Sequence, residues 1–156
     1  MAEQAGAARA VVGLTVDLVV LGDSGGVPVV LAVERAKPPF RGHLALPGGF
    51  VEPDEGLARA AVRELAEETG VVVGCRQLRQ VGIYGDPGRD PRGRIVSVAY
   101  RVRLDGVPAP VAGSDAKAAR WVPVTVFLDA ATPVAFDHRE ILHAALRCGS
   151  CGCPAH

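Results

Sequence analysis

Apolar residues fall along this chain in short runs divided by glycine, proline and aspartate. Val11–Leu21 is almost continuously apolar, with Asp17 inside it, and Pro28–Glu34 is a second such run. The turn-rich Gly22-Asp23-Ser24-Gly25-Gly26 between them predicts a hairpin. Leu78–Tyr84 and Arg94–Arg103 read as two further strands. The second alternates, with Val96, Val98, Tyr100 and Val102 on one face and Ser97, Arg101 and Arg103 on the other, the pattern of a half-buried strand. Two stretches carry helical periodicity instead. Pro53-Asp54 opens one, with Asp54 as its N-cap, a stripe of Leu57, Ala58, Ala61, Val62 and Leu65, and Gly70 as its stop. Asp137–Arg147 is the other, burying Ile141, Leu142, Ala145 and Leu146. Strands alternating with helices predict an α/β protein with a mixed central sheet.

A chain of 156 residues with 49% hydrophobic content can bury a core as one compact domain. We expect that domain over residues 10–147, between an N-terminal tail (1–9) and a cysteine-rich C-terminal tail (148–156). The formal net charge is zero, so no global basic field draws in a nucleic acid polymer or an anionic membrane, and phosphate recognition has to be local. Val11–Leu21 is too short to span a bilayer, and no basic start precedes an uninterrupted apolar stretch, which predicts a cytoplasmic protein. Cys148, Cys151, Cys153 and His156 offer four soft ligands at the chain end. Their spacing is tight for a tetrahedral site and lacks a second ligand pair from another loop, so a reduced tail is the expected state rather than a zinc site.

The stretch from Gly49 to Val71 carries the chemistry. At about 3.6 residues per turn, Glu64 and Glu68 share a helical face with Glu67 beside them, so three carboxylates crowd one edge. Like charges so placed repel unless a cation sits among them, and a hard divalent ion with oxygen ligands is the natural partner. Glu55 with Arg59 and Arg63 with Glu67 stand at i, i+4 and could brace that edge. Ahead of the helix, Leu46-Pro47-Gly48-Gly49 permits close backbone approach and could lend a carbonyl ligand.

Gly49, Glu55, Arg63, Glu64, Leu65, Glu67, Glu68, Gly70 and Val71 occupy every fixed position of G-x5-E-x7-R-E-U-x-E-E-x-G-U, where U is a bulky aliphatic residue. The chain therefore resembles the Nudix hydrolases. That resemblance implies an α/β/α sandwich and hydrolysis of a phosphoanhydride with Mg²⁺ or Mn²⁺, held by Glu64 and Glu68, then Glu67 and the Gly49 backbone. Arg63 and Glu55 would orient the helix and loop. The general base would come from the box or from a later loop, where Asp115 in Ala112-Gly113-Ser114-Asp115-Ala116 is the candidate, equally suited to capping a helical turn.

Val16-Asp17-Leu18-Val19, Gly88-Arg89-Asp90-Pro91-Arg92-Gly93-Arg94 and Phe136-Asp137-His138-Arg139-Glu140-Ile141-Leu142 look like the ADP-ribose pyrophosphatase branch, as does Pro87 beyond the box. His43 departs from it, since members commonly carry an aromatic there. This implies cleavage of ADP-ribose to AMP and ribose 5-phosphate, and many members of the branch form homodimers. Substrate contacts are expected from Arg35, Arg41, Phe50, Pro87 and Arg89, with Arg92 a further phosphate candidate. Tyr84 and Trp121 read as core residues before base-stacking ones, and His138 as a capping or packing residue. Two other functions stay open: a sanitising pyrophosphatase acting on modified nucleoside triphosphates or another dinucleotide, and a non-catalytic sensor of ADP-ribose-like ligands. The sensing branch joins a C-terminal winged-helix segment to the domain, whereas here about nine residues follow the last predicted helix and all the box carboxylates are present, so hydrolysis is the expected reading.

Overall fold

The computed structural model describes residues 9–111, 113 and 116–148, with the backbone alone at 116 and 117. Asp115, Cys151, Cys153 and His156 lie outside the described residues, whereas Cys75 and Cys148 are exposed free thiols. No helix among the described residues is long and apolar enough to cross a membrane.

The first hairpin joins β1 (Gly13–Ser24) to β2 (Val27–Arg35) through Gly25 and Gly26 alone. Both glycines have positive φ, 63° and 88°, as a two-residue turn of matching twist requires. The Gly26 N–H donates to Asp23 Oδ1 at 2.7 Å. So tight a turn lets β1 run past Leu21, the expected end, to Ser24. β6 (Ile95–Arg103) lies parallel to β1, with Val16 opposite Val98 and Asp17 opposite Ala99. β3 (Leu44–Ala45) and β5 (Arg79–Tyr84) form the two ends of the order β3-β2-β1-β6-β5. β4 (Gly48–Phe50) pairs with β1 and β7 (Ala116–Pro123) with β2, completing a mixed sheet of seven strands among the described residues.

Strand alternation sorts the core into two layers. Val16, Leu18 and Val20 of β1, with Val98, Tyr100 and Val102 of β6, pack against Ala60, Ala61 and Leu65 of α1 (Leu57–Thr69). Val19, Leu21 and Ala99 point the other way. They meet Phe127 of α2 (Val124–Leu128) and Ile141, Leu142 and Ala145 of α3 (His138–Arg147). This is the expected α/β/α sandwich around a mixed sheet.

Three local expectations need correction. β6 is not half-buried at its centre, because α3 covers the second face and leaves Ser97 and Ala99 at 0% exposure. The N-cap of α1 is Gly56, in extended conformation and with no side-chain cap, rather than Asp54. Glu55 therefore precedes the helix, cannot obey helical spacing, and reaches Arg63 instead of Arg59. Finally, β3, β4, β7 and α2 carry no period long enough to have announced them.

Candidate active site

The acidic edge of α1 is organised by one guanidinium. Arg63 donates to both Glu55 oxygens (2.9 and 2.5 Å), to Glu64 Oε1 (2.8 Å), to Glu67 Oε2 (3.1 Å) and to the Phe50 carbonyl (3.1 Å). The Arg63 hydrogen bonds hold the Glu55 carboxyl down at about 2, and the same bonds push the Arg63 pKa up. Burial raises Glu64 against that pull, with Glu67 and Glu55 adding repulsion.

Glu68 has no such guanidinium. It accepts the Gly48 N–H at 3.0 Å, and burial pushes its carboxyl up to about 8, with Glu64 and Asp17 contributing like charge. The two glycines of β4 are needed because the acidic helix presses on them. A Cβ on Gly49 would sit 2.5 Å from the Glu64 carboxyl carbon, and one on Gly48 would run into the Val16 carbonyl oxygen. At the far end of α1 the Val111 N–H donates to the Thr69 carbonyl (2.8 Å) and the Gly113 N–H to the Glu68 carbonyl (3.0 Å). Those bonds satisfy carbonyls that the helix end leaves open, and they bring the chain just before β7 against the box.

Behind β4 lies a buried polar network. Asp17 points from β1 toward α3, where Ser97 Oγ donates to its Oδ2 at 2.5 Å and His138 Nε2 stands 3.3 Å from its Oδ1. His138 Nδ1 accepts the Leu46 N–H at 2.9 Å. The imidazole proton is therefore on Nε2, directed at Asp17. Burial opposes a charged Asp17, but His138, Ser97 and Arg89 outweigh it and hold the carboxyl below the ordinary 3.8. Arg89 is itself clamped in bidentate fashion by Asp137 at 2.8 and 2.5 Å, 3.9 Å from Asp17.

Glu68, Asp17, His138, Gly48 and Gly49 open onto a cleft of about 270 Å³, whose other wall includes Arg35, Phe50, Arg89, Arg92 and Phe136. Of the expected substrate residues, Arg35, Phe50 and Arg89 line it. Arg41 and Pro87 are exposed and stand outside the lining. Arg35 donates its Nε–H to the Pro39 carbonyl at 2.7 Å and forms no ion pair with a carboxylate among the described residues. Burial, and then the charge of Arg92, lower its pKa.

Among the described residues no three His, Cys, Asp or Glu side chains converge on one point, since Arg63 holds Glu64 and Glu67 while Gly48 holds Glu68. The donor set nevertheless suits a hard cation: carboxylate oxygens on one helical face, one of them desolvated among like charges. Asp17, Ser97 and Asp137 went unremarked as site residues in the sequence. The available signal was a carboxylate inside the apolar run of β1.

The sequence pattern of the NUDIX domain matches residues 12–145. An ADP-ribose pyrophosphatase of Methanocaldococcus jannaschii is 39% identical over 118 residues, which are 76% of this chain and 66% of that protein. A MutT/nudix family protein of Enterococcus faecalis superposes with a TM-score of 0.83 at 31% identity, over 94% of this chain and 65% of its own. The NUDIX domain of Shewanella oneidensis NrtR, solved with ADP ribose, gives 0.81 at 32% identity over 89% of each chain. This chain spans just under two thirds of the first two relatives. With the box in place on α1 and the matched region running from β1 into α3, the chain belongs to the NUDIX domain family.

Proposed function

We propose that this chain hydrolyses a nucleoside diphosphate linked to a second moiety, and that ADP-ribose, cut to AMP and ribose 5-phosphate, is its substrate. One observation carries the reading: the desolvated carboxylate Glu68 and the guanidinium Arg35, which makes no direct ion pair among the described residues, line the same cleft. A carboxylate forced toward protonation favours cations, and a half-buried guanidinium with no carboxylate in direct contact favours an anion. A diphosphate with divalent ions answers both. The similarity to an ADP-ribose pyrophosphatase and to a domain solved with ADP ribose supports the choice of nucleotide.

Glu64, Glu67, Glu68 and the Gly49 carbonyl would hold Mg²⁺ or Mn²⁺. When bound, the ions neutralise the diphosphate and acidify water enough for attack at neutral pH. Water adds to one phosphorus, the P–O–P bridge breaks, and two phosphomonoesters leave, which as dianions at neutral pH release two protons between them. Arg63 keeps Glu64 and Glu67 in register, Arg35 receives phosphate charge, and the Asp17–His138 pair fixes the strand segment bearing Gly48. Asp115, which lies outside the described residues, is the candidate base on its residue type and sequence position alone, a position that suits a helical cap equally well. Replacing Asp115 by Asn tests this, and a loss of only a few-fold in turnover removes it.

We also infer a cytoplasmic protein that acts on small nucleotides without a nucleic acid polymer or membrane, since its net charge is zero. A homodimer is compatible with this reading, and the oligomeric state stays open. Sensing of ADP-ribose without turnover is the second reading, favoured by the NrtR domain. A product assay with ADP-ribose, NADH, diadenosine polyphosphates, UDP-sugars and 8-oxo-dGTP separates them. Preference for ADP-ribose with AMP as product is expected. Release of pyrophosphate from a triphosphate would move the enzyme to sanitising chemistry, and no turnover would favour the sensor. Glu64→Gln should lower turnover by at least about 10²-fold, and full activity in that variant would refute the metal assignment.

A further inference from the structure

Positive charge gathers away from the carboxylates, on the sheet face that carries α3. Arg101 and Arg103 of β6 follow Ser97 and Ala99 at every second position, so all four point to that face. Arg79 of β5 stands directly opposite Arg101 in the antiparallel ladder, a pairing of like charges that costs stability. Arg79, Arg101, Arg103 and Gln77 rim a cavity of about 480 Å³, which Leu21, Ala145 and Leu146 line beside them. At about 3.3 Å per residue, Arg103 lies roughly 20 Å along β6 from Ser97 and the Asp17 network.

No carboxylate lines this cavity. Arg79 donates its Nη1 to the Arg76 and Leu78 carbonyls at 3.0 and 3.1 Å, and Arg101 donates its Nη2 to the Cys148 carbonyl at 3.2 Å. None of the three arginines forms an ion pair among the described residues. The C-terminal end of α3, which Arg101 meets at Cys148, carries roughly half a negative charge. Three guanidinium groups exceed that several-fold, so most of their charge has no answer within the described residues.

A multiply charged oxyanion supplies that answer. Guanidinium forks match phosphate oxygens, and two paired strands hold the forks at fixed spacing. The apolar side of the cavity and a volume in the range of small-molecule sites leave room for an uncharged organic portion. A nucleic acid polymer fits less well, because the basic residues rim one concavity in a chain of zero net charge and do not run as a stripe. We propose that Arg79, Arg101 and Arg103 form a second, non-catalytic anion site, which takes the phosphate or diphosphate group of a small organic molecule. The site stands on β5 and β6 and does not depend on the hydrolase reading.

The test is a titration of the isotope-labelled full chain with inorganic phosphate and with pyrophosphate, in chelator and at constant ionic strength, followed by backbone amide NMR shifts. Saturable shifts are expected at Gln77, Arg79, Arg101, Arg103 and Leu146, with pyrophosphate binding more tightly than phosphate. Arg79→Gln and Arg103→Gln, both at exposed positions, should each weaken pyrophosphate at these amides by about 5-fold or more. Any binding seen at Gly48 and Gly49, in the catalytic cleft, should keep its affinity in both variants. Shifts that never saturate, shifts confined to Gly48 and Gly49, or unchanged affinity in both variants would overturn the site. A single-stranded oligonucleotide that displaces pyrophosphate from these amides at lower concentration would overturn the choice of a small ligand.

Discussion

Removing the charge at Glu68 should stabilise the metal-free protein while destroying its activity. The native carboxyl sits at about 8 against an ordinary glutamate value of 4.5, so between those pH values the folded state holds a proton that the unfolded state has released. Stability then falls as pH rises from about 4.5, and the penalty is complete above about 8. At about 1.4 kcal/mol per pKa unit the full penalty approaches 5 kcal/mol, and relaxation of a partly exposed side chain brings the expected value to about 2–4 kcal/mol. Glu68→Gln retains an acceptor for the Gly48 N–H and carries no charge. Urea unfolding of both proteins in chelator at pH 4.5, 7 and 9 should find them alike at pH 4.5, with the variant progressively more stable toward pH 9. Mg²⁺ should raise the midpoint of the parent more at pH 9 than at pH 6, and leave the variant nearly unmoved. A variant as sensitive to pH as its parent, or less stable at pH 9, would refute the reasoning.

The two glycines of β4 should respond differently to alanine. Gly49→Ala meets the flexible end of Glu64, so it should fold, yet lose at least about 10-fold in turnover through displacement of that carboxylate; Gly48→Ala meets the Val16 backbone and should lower the thermal midpoint sharply in a circular dichroism melt. Arg63→Lys should not rescue function, because an ammonium cannot span Glu55, Glu64 and Glu67 at once. Glu55 is held at about 2, so it contributes stability that is present above about 4.5 and lost as pH falls toward 2; acid titration of Arg63→Lys should show that dependence flattened. His138→Ala strands both the Leu46 N–H and the buried Asp17 carboxylate and should cost roughly 3–5 kcal/mol in denaturant unfolding, whereas Asp17→Asn with His138 intact should cost about half as much.

The layers of the fold were legible because they rest on periods. The apolar run of β1, its hairpin to β2 and the stripe of α1 each declare a local structure that tertiary packing then uses unchanged. The short strands β3 and β4 have no such period. They exist because the loop after β2 is drawn across β1 and β2, where the Leu18 N–H takes the Pro47 carbonyl at 2.8 Å. The second face of β6 was misjudged for a related reason: alternating Val and Ser or Arg describes its ends, but Ser97 and Ala99 are small enough for α3 to lie directly on them.

The site divides along the same line. Glu64, Glu67, Glu68, Arg63 and Glu55 could be read because one helix and its entry loop carry them all at fixed offsets. Asp17, Ser97 and His138 could not, since 80 residues separate Asp17 from Ser97 and only the parallel β1–β6 pairing brings them to one face. A charged residue in the middle of a buried strand is nonetheless a signal in itself. Burying it unpaired would cost several kcal/mol, so a fold that keeps it must supply donors. In this chain the donors come from β6 and α3, and one of them, His138, also takes the Leu46 N–H. The segment that carries Gly48 to Glu68 is thereby fastened to the opposite layer of the sandwich. A helix on one side of the sheet thus fixes the geometry of carboxylates on the other, which is why the chemistry of α1 should be sensitive to substitutions at the start of α3.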